Sequence, residues 1–240
     1  MKLEIANISN QINASAFDAA VVAISRQVAE HFQPEWGTAA DIVGTVVPLA
    51  NRTAPIAGDR DAIIYVGDSS QDPTTGVENA LGYHSTNQGN IPYGFIYLDI
   101  VKEAGEEWTT TLSHEVLELL ADPDATMTVT GPAPRGGGHV HYDLEVCDPT
   151  QGDSYQIDNV SVSNFVGRSY FGLKNGTGKL NYLGLPLRPF GVRPKGYFQY
   201  EDGGGKTHQI MGEHVTPHQR AAKQKMGKVR RNRRREDRIE

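Results

Sequence analysis

The sequence predicts an α+β fold in which a helix and several short strands precede a second helix, with further strands after it. Three observations support this prediction. Apolar residues recur at helical spacing in residues 14–32, short apolar runs follow in residues 42–101, and period-two alternation begins at residue 139. We therefore expect one α+β domain over residues 1–202, with its β-rich part from about residue 139. Residues 203–240 are expected to form a Gly-rich linker and a basic C-terminal arm.

Composition limits the compartment in which the protein is expected. Among its 240 residues the chain has one cysteine, Cys147, so an internal disulfide is excluded and a reducing compartment fits. No apolar run approaches the roughly 20 residues of a membrane span. The N-terminus also lacks the apolar segment of a signal peptide. These features predict a cytoplasmic protein with no membrane partner.

Residues 14–32 are predicted to form the first helix. Asn13 and Ser15 are alternative N-caps, and Pro34 is expected to end the helix because proline cannot continue it. The simplest interpretation is a helix that packs on the core through its apolar face. That face consists of Phe17, Val21, Ile24, Val28 and Phe32.

Short strands are predicted over residues 42–49, 62–66 and 91–101. The segment Leu81-Gly-Tyr-His-Ser85 precedes the last of them across a turn-rich stretch. His84 in this segment is a candidate for lining a site beside the sheet. A lone histidine on a strand is more often structural, so both interpretations stay open.

The second helix is predicted over residues 109–122, and its polar face indicates metal-dependent hydrolysis. Pro123 should end this helix. Its core face consists of Leu112, Val116, Leu119 and Leu120. On a second face, His114, Glu118 and Asp122 stack at i, i+4 and i+8. An imidazole and a carboxylate one turn apart can hold one divalent ion.

Glu115 and Glu118 define how this motif differs from the metalloprotease pattern His-Glu-x-x-His. Glu115 lies one step round the helix, where it can take a proton from water that the ion activates. Glu118 replaces the second histidine, which weakens the preference for zinc over other divalent ions. A solvated polar helix face is the alternative interpretation of the same residues.

The β-rich part begins with a strand over residues 139–146 that alternates with period two. Its polar face is expected to consist of His139, His141, Asp143 and Glu145. Four such side chains on one face fit a metal site, although an ordinary half-exposed strand gives the same pattern. Downstream, Asp148 lies in an acidic turn, and Asp158-Asn159 is expected to be the turn of a hairpin.

Five motifs in the chain support a resemblance to a known family. They are Leu81-Gly-Tyr-His84, Ile91-Pro-Tyr-Gly94, His114-Glu-Val-Leu-Glu-Leu-Leu-Ala-Asp-Pro123, Glu145-Val-Cys-Asp-Pro149 and Val162-Ser-Asn-Phe-Val166. Together they resemble an uncharacterised bacterial and phage family that is related to the zincin-like metallopeptidases. The resemblance covers most of residues 15–200. It implies a zincin-like mixed sheet, with the motif helix packed under an edge strand along which a peptide could lie.

The resemblance also implies roles for individual residues. His114 and Glu118 would be ligands of a divalent metal, expected to be zinc, and Glu115 would be the general base. The reaction implied is hydrolysis of a peptide or protein substrate. Glu145 is the expected third ligand, with Asp122 and Asp148 as competitors and His84 as a further candidate.

A non-catalytic structural or assembly protein, for instance a phage particle component, is the alternative function. Two departures from the family pattern favour it. Glu118 replaces the usual histidine, and Asn164-Phe-Val-Gly-Arg-Ser-Tyr-Phe171 replaces a pattern of the form Asp-Phe-Val-x-Pro-x-Trp-Phe. In that case the zincin-like body would serve as a scaffold, and the protein would be found within the particle or in the cytoplasm.

Residues 220–240 are predicted to form an interaction arm separate from the folded body. Ten Lys/Arg against three Asp/Glu give the arm +7, and since the whole chain is −6, the rest sums to −13. Such a composition cannot offset the entropy of folding alone. Nucleic acid or an assembly partner, including a second copy, is the expected target.

Truncation at Thr216 tests whether this segment is such an arm. It should abolish salt-sensitive nucleic-acid binding or change the oligomer size in sedimentation. A lower melting temperature with neither change would contradict the hypothesis of a separate arm.

Overall fold

The computed structural model describes residues 1–47, 59–69, 82–86 and 91–215, and these form an α+β protein with three β-sheets. The predicted mixed α+β class is therefore confirmed. The end of the predicted strand 42–49, the start of the segment at Leu81 and the arm 220–240 lie outside the described residues. Within the described ranges, no helix combines the length and apolar character needed to cross a membrane.

The first sheet is mixed and has five strands. They are β1 (Lys2–Asn7), β2 (Asp41–Val46), β3 (Ala62–Gly67), β4 (Gly82–Thr86) and β5 (Pro92–Tyr97). Their spatial order is β2-β1-β3-β5-β4. All neighbours pair in parallel except β4 and β5, which are antiparallel. The strand that bears His84 therefore forms one edge of this sheet.

The first helix extends further than the sequence predicts. It consists of α1 (Ala14–Arg26), a π-helical segment (Gln27–Phe32) and α2 (Gln33–Trp36). Asn13 is the N-cap, and its side chain accepts a backbone N–H of the first turn. Pro34 does not end the helix; it lies at the start of α2, directly after the π-helical segment. The helix ends instead at Gly37, which has a left-handed φ of 77°.

The apolar run 91–101 divides into a strand and a helix, so the predicted single strand is wrong. β5 ends at Tyr97, and α3 (Leu98–Glu103) follows directly. Leu98, Ile100 and Val101 are buried in the core. Because a short apolar run fits a buried strand and a buried helix equally well, periodicity alone does not separate the two.

The helix α4 (Trp108–Ala121) corresponds to the predicted second helix. It ends at Asp122, next to Pro123, as expected. All the residues predicted for its core face are buried, namely Leu112, Val116, Leu119 and Leu120. The helix contacts β4 and β5 of the first sheet and the hairpin strand β9 (Val160–Ser163) of the β-rich part. It therefore packs against both parts of the fold.

The β-rich part contains a four-stranded antiparallel sheet and a separate hairpin. The sheet consists of β6 (Thr128–Pro132), β7 (His139–Asp143), β10 (Tyr197–Glu201) and β11 (Thr207–Met211), in the order β11-β10-β7-β6. In the hairpin, β8 (Ser154–Ile157) joins β9 through Asp158 and Asn159, whose φ values are 50° and 66°, and the predicted turn is confirmed. Residues 203–205 belong to the turn between β10 and β11 and not to a linker.

A single large hydrophobic cluster joins the first sheet to the chain that follows β7. It includes Ile5 of β1, Ile24 of α1, Val116 of α4, Val146 and Phe165. Burial of this apolar surface is the main force that holds residues 144–150 beside α4. The consequence is that carboxylates from two distant parts of the sequence meet at one buried place.

Candidate metal centre

The polar face of α4 is buried, which excludes a solvated helix face. His114 is 7% exposed, Glu115 is 4% exposed and Glu118 is 1% exposed. Charged groups are rarely buried without partners, because their removal from water is costly. The neighbours of these three side chains therefore decide what this face can do.

His114 lies between two carboxylates. Its Nε2 atom is 3.2 Å from Oε2 of Glu118 and 3.3 Å from Oδ1 of Asp148. Two ligand atoms of a tetrahedral zinc ion, each about 2.0–2.2 Å from the metal, lie roughly 3.4 Å apart. The three side chains, which we call the first group, are all buried, and their ligand atoms lie within 4.8 Å of one another. Their spacing fits a single divalent ion.

Backbone hydrogen bonds fix the orientation of Glu118. Its Oε1 atom accepts the N–H of Cys147 at 3.1 Å and the N–H of Asp148 at 3.2 Å. Pro149 follows in a short 3-10 turn, Asp148–Thr150, which holds this part of the chain against α4. The same turn that supplies Asp148 therefore also orients Glu118, and Oε2 is left facing His114.

The electrostatic field of the first group favours a cation. Burial lowers the pKa of His114, but the negative charges of Glu118, Asp148 and Glu115 raise it by more, and the net pKa lies well above its ordinary value. A proton on His114 would compensate part of this negative charge. A divalent metal ion would compensate more of it, and it would be held by ligands that are already in place.

A second group of ligand atoms lies beside the first. Nδ1 of His84 is 3.5 Å from Oε2 of Glu115, and both side chains are at least nine-tenths buried. With Glu118 they form another set whose ligand atoms lie within 4.8 Å of one another. Gly82 makes this approach feasible, because a Cβ atom there would lie 2.9 Å from Cγ and Oε1 of Glu115. The edge strand β4 therefore contributes directly to the site.

The structure distinguishes the three candidates for the third metal ligand, Asp122, Glu145 and Asp148, by their contacts. Asp122 closes the end of α4, where its carboxylate oxygens accept the N–H groups of Thr126 and Met127 at 3.2 and 2.8 Å. Glu145, the expected third ligand, is buried but belongs to neither group of ligand atoms found among the described residues. Asp148, and not Glu145, lies beside His114 and Glu118 in the first group.

The alternation predicted for residues 139–146 ends early. β7 stops at Asp143; His139 and His141 are exposed, whereas Asp143 and Glu145 are buried. The four polar side chains therefore do not share one face, because the chain leaves the sheet after Asp143 to reach α4. His141 instead lies beside the hydroxyl group of Thr130, with 3.2 Å between its Nδ1 and the Thr130 Oγ1.

Cys147 is expected to be chemically inert in the native protein. It is fully buried, and burial together with the charge of Glu118 raises the pKa of its thiol well above the usual range. A thiol reagent would then react only through opened states of the chain. Labelling should be at least ~100-fold slower in the native protein than in urea, where the chain is unfolded. Rapid stoichiometric labelling under native conditions would show that Cys147 is accessible.

Comparisons of the chain with protein-family models, with curated proteins and with solved structures found no match. A fold class by itself does not establish a function. The buried histidine and carboxylate groups around α4 are therefore the observations that bear on function.

Proposed function

We propose that the protein is a metal-dependent hydrolase with a zincin-like arrangement, acting on peptide bonds. The observation that supports this most directly is the first group, in which His114, Glu118 and Asp148 are buried at a spacing that fits one divalent ion. We propose zinc as the ion, since imidazole suits zinc, while the two carboxylates also admit manganese.

The chemistry divides between the ion and Glu115. A bound divalent ion supplies Lewis acidity, which polarises a carbonyl group and lowers the pKa of water. Glu115 is the neighbour of His114 in sequence, and its buried carboxylate has a ligand atom within 4.8 Å of one of Glu118. It accepts the proton of the attacking water and returns it to the leaving amine. Gly82 keeps the backbone of β4 close to this carboxylate without a steric conflict.

The edge strand supports the choice of a peptide as substrate. β4 pairs with β5 on one side, and it contacts α4, which bears the metal ligands. An edge strand offers unpaired backbone groups to an extended peptide, which can add to the sheet by main-chain hydrogen bonds. A mixed sheet with an edge strand beside the motif helix is also the arrangement that the zincin resemblance implies.

The proposal is tested by the metal content of purified protein. Wild type should contain one tightly held divalent ion per chain at the first group, and His114→Ala should lose it, because only two carboxylate ligands remain. His141→Ala is the matched control, since His141 is exposed on β7 and should leave the metal content unchanged. Elemental analysis that finds no stoichiometric metal, with none taken up on addition, would refute the proposed function.

Two further variants identify the third ligand. Asp148→Asn should weaken binding of the first ion by more than about 100-fold, because it removes a direct ligand and not merely an outer partner. Glu145→Gln should have a much smaller effect, since Glu145 is in neither group. The reverse order of effects would restore Glu145 as the third ligand.

A further inference from the structure

We propose that His84, Glu115 and Glu118 form a second divalent-cation position next to the first, with Glu118 shared between the two. This inference rests on the proposed function in two respects: Glu118 is assigned as a ligand of the first ion, and Glu115 as the group that accepts the proton. The second group is as deeply buried as the first, and its three ligand atoms also lie within 4.8 Å of one another.

The hydrogen bond of His84 determines which of its nitrogen atoms is available to an ion. Nε2 lies 3.1 Å from the backbone carbonyl oxygen of Asp122, and a carbonyl oxygen can only accept, so Nε2 bears the hydrogen. In the neutral ring Nδ1 is then a bare lone pair. Donation of the other ring N–H to a backbone carbonyl is the usual arrangement for a histidine that ligates a metal.

Nδ1 of His84 and Oε2 of Glu115 face each other without a hydrogen bond. They are 3.5 Å apart, and neither atom has a hydrogen-bond partner among the residues that the structure describes. A lone pair opposite a carboxylate is unfavourable in a buried place unless a cation lies between them. The spacing of the two atoms suits two ligands of one metal ion.

The two positions are distinct but adjacent. In the part of the chain that the structure describes, no group of ligand atoms contains both histidines, and Glu118 is the member common to the two groups. A carboxylate shared by two ions is typical of two-metal sites, in which the ions lie about 3.5–4 Å apart. A second ion also compensates the charge of Glu115, which the first group leaves outside its ligand set.

Occupancy of the second position has a functional consequence. The ion there engages Glu115, the group that accepts a proton in the proposed reaction. The state with one ion is therefore the competent one, and the state with two ions is a resting state. Because the second position is formed by a histidine and two carboxylates, Zn²⁺ and Mn²⁺ are the ions that it should take.

The experiment counts ions in the metal-free full-length chain by titration with Zn²⁺. Wild type should bind two ions. His84→Ala should keep the first and weaken the second by more than about 100-fold, beyond the effect of losing an outer partner. Glu115→Gln should behave in the same way, which covers the case in which His84→Ala fails to fold. His141→Ala should still bind two, and retention of the first ion shows that each variant is folded.

The outcomes separate this inference from the proposed function. One ion in wild type, unaffected by His84→Ala and lost in His114→Ala, would overturn the second position and leave the proposed function intact. One ion lost in His84→Ala and kept in His114→Ala would instead overturn the assignment of the first position. Loading with Mn²⁺ adds a check on the shared ligand, since two ions bridged by Glu118 should give an exchange-coupled paramagnetic resonance spectrum. Two uncoupled spectra would overturn the sharing of Glu118.

Discussion

Replacement of Glu115 by glutamine is expected to lower turnover of a peptide substrate by about 10²–10⁴-fold, the usual contribution of a general base. The amide is nearly isosteric with the carboxylate but cannot accept the proton of the attacking water. The first ion should remain bound, because His114, Glu118 and Asp148 are unchanged. The measurement compares kcat for the two proteins, each loaded with one ion, on a substrate selected from a peptide library.

Glu107→Gln is the matched control for this experiment. Glu107 is the exposed residue at the start of α4, so the same chemical change there should leave kcat unaltered. Equal turnover by wild type and Glu115→Gln would reject the role of Glu115 as base. If the metal is bound but no peptide in broad libraries is cleaved, the scaffold interpretation of the fold is favoured.

The parts of the fold that the sequence predicts well are those determined by neighbouring residues. Apolar spacing and Pro123 predict α4, and every residue predicted for its core face is buried. The hairpin turn follows from Asp158 and Asn159, residue types that accept positive φ at low cost. Local rules suffice where the information that selects the structure is itself local.

The sequence fails where tertiary packing overrides a pattern. β1 (Lys2–Asn7) is not among the predicted strands, because Leu3 and Ile5 alternating with Lys2 and Glu4 is too short a pattern to stand out. In the sheet it lies between β2 and β3, and Glu4 is buried as well. The strand predicted over residues 91–101, which form β5 and α3, is wrong for a related reason: a segment that is buried on all sides shows no hydrophobic periodicity.

The site shows the same division between local and long-range information. The spacing of His114 and Glu118 on one helix was sufficient to predict that they lie together, and they do at 3.2 Å. The sequence could not show that Asp148, rather than the expected Glu145, lies beside His114, because that depends on where the chain leaves β7. The role of His84 depends on a hydrogen bond to Asp122, 38 residues away in sequence. Only the folded chain selects the tautomer that leaves Nδ1 of His84 without a hydrogen, as the proposed second position requires.

Removal of the metal is expected to make the stability of the protein fall as the pH rises. In the metal-free protein the carboxylates around His114 raise its pKa more than burial lowers it, so the pKa lies well above its ordinary value. A group with a raised pKa binds more protons in the folded state than in the unfolded state. Its stabilising contribution is complete below the unfolded pKa of about 6.5 and is lost as the pH rises through the folded pKa.

The metal-loaded protein should not show this fall: its stability should rise with pH up to about 6.5 and then level off, because its folded state holds no proton on His114. A metal ion needs the unprotonated imidazole of His114, so its binding strengthens with pH and releases a proton. At a free ion concentration about 1,000 times the Kd, binding should add about 4 kcal/mol to the free energy of unfolding. For a chain of this size that corresponds to a rise in Tm of roughly 8–16 °C.

Thermal unfolding between about pH 6 and 9, with zinc and with a chelator, measures both slopes. The two curves should diverge as the pH rises, and in His114→Ala the divergence should be largely lost, because neither the proton nor the first ion has its imidazole. His141→Ala should behave like wild type, since that histidine is exposed. Parallel curves in wild type would mean that the cation at the first group is a proton alone. Because proton and metal compete for the same nitrogen atom of His114, the divergence of the two curves identifies which of them the buried carboxylates hold.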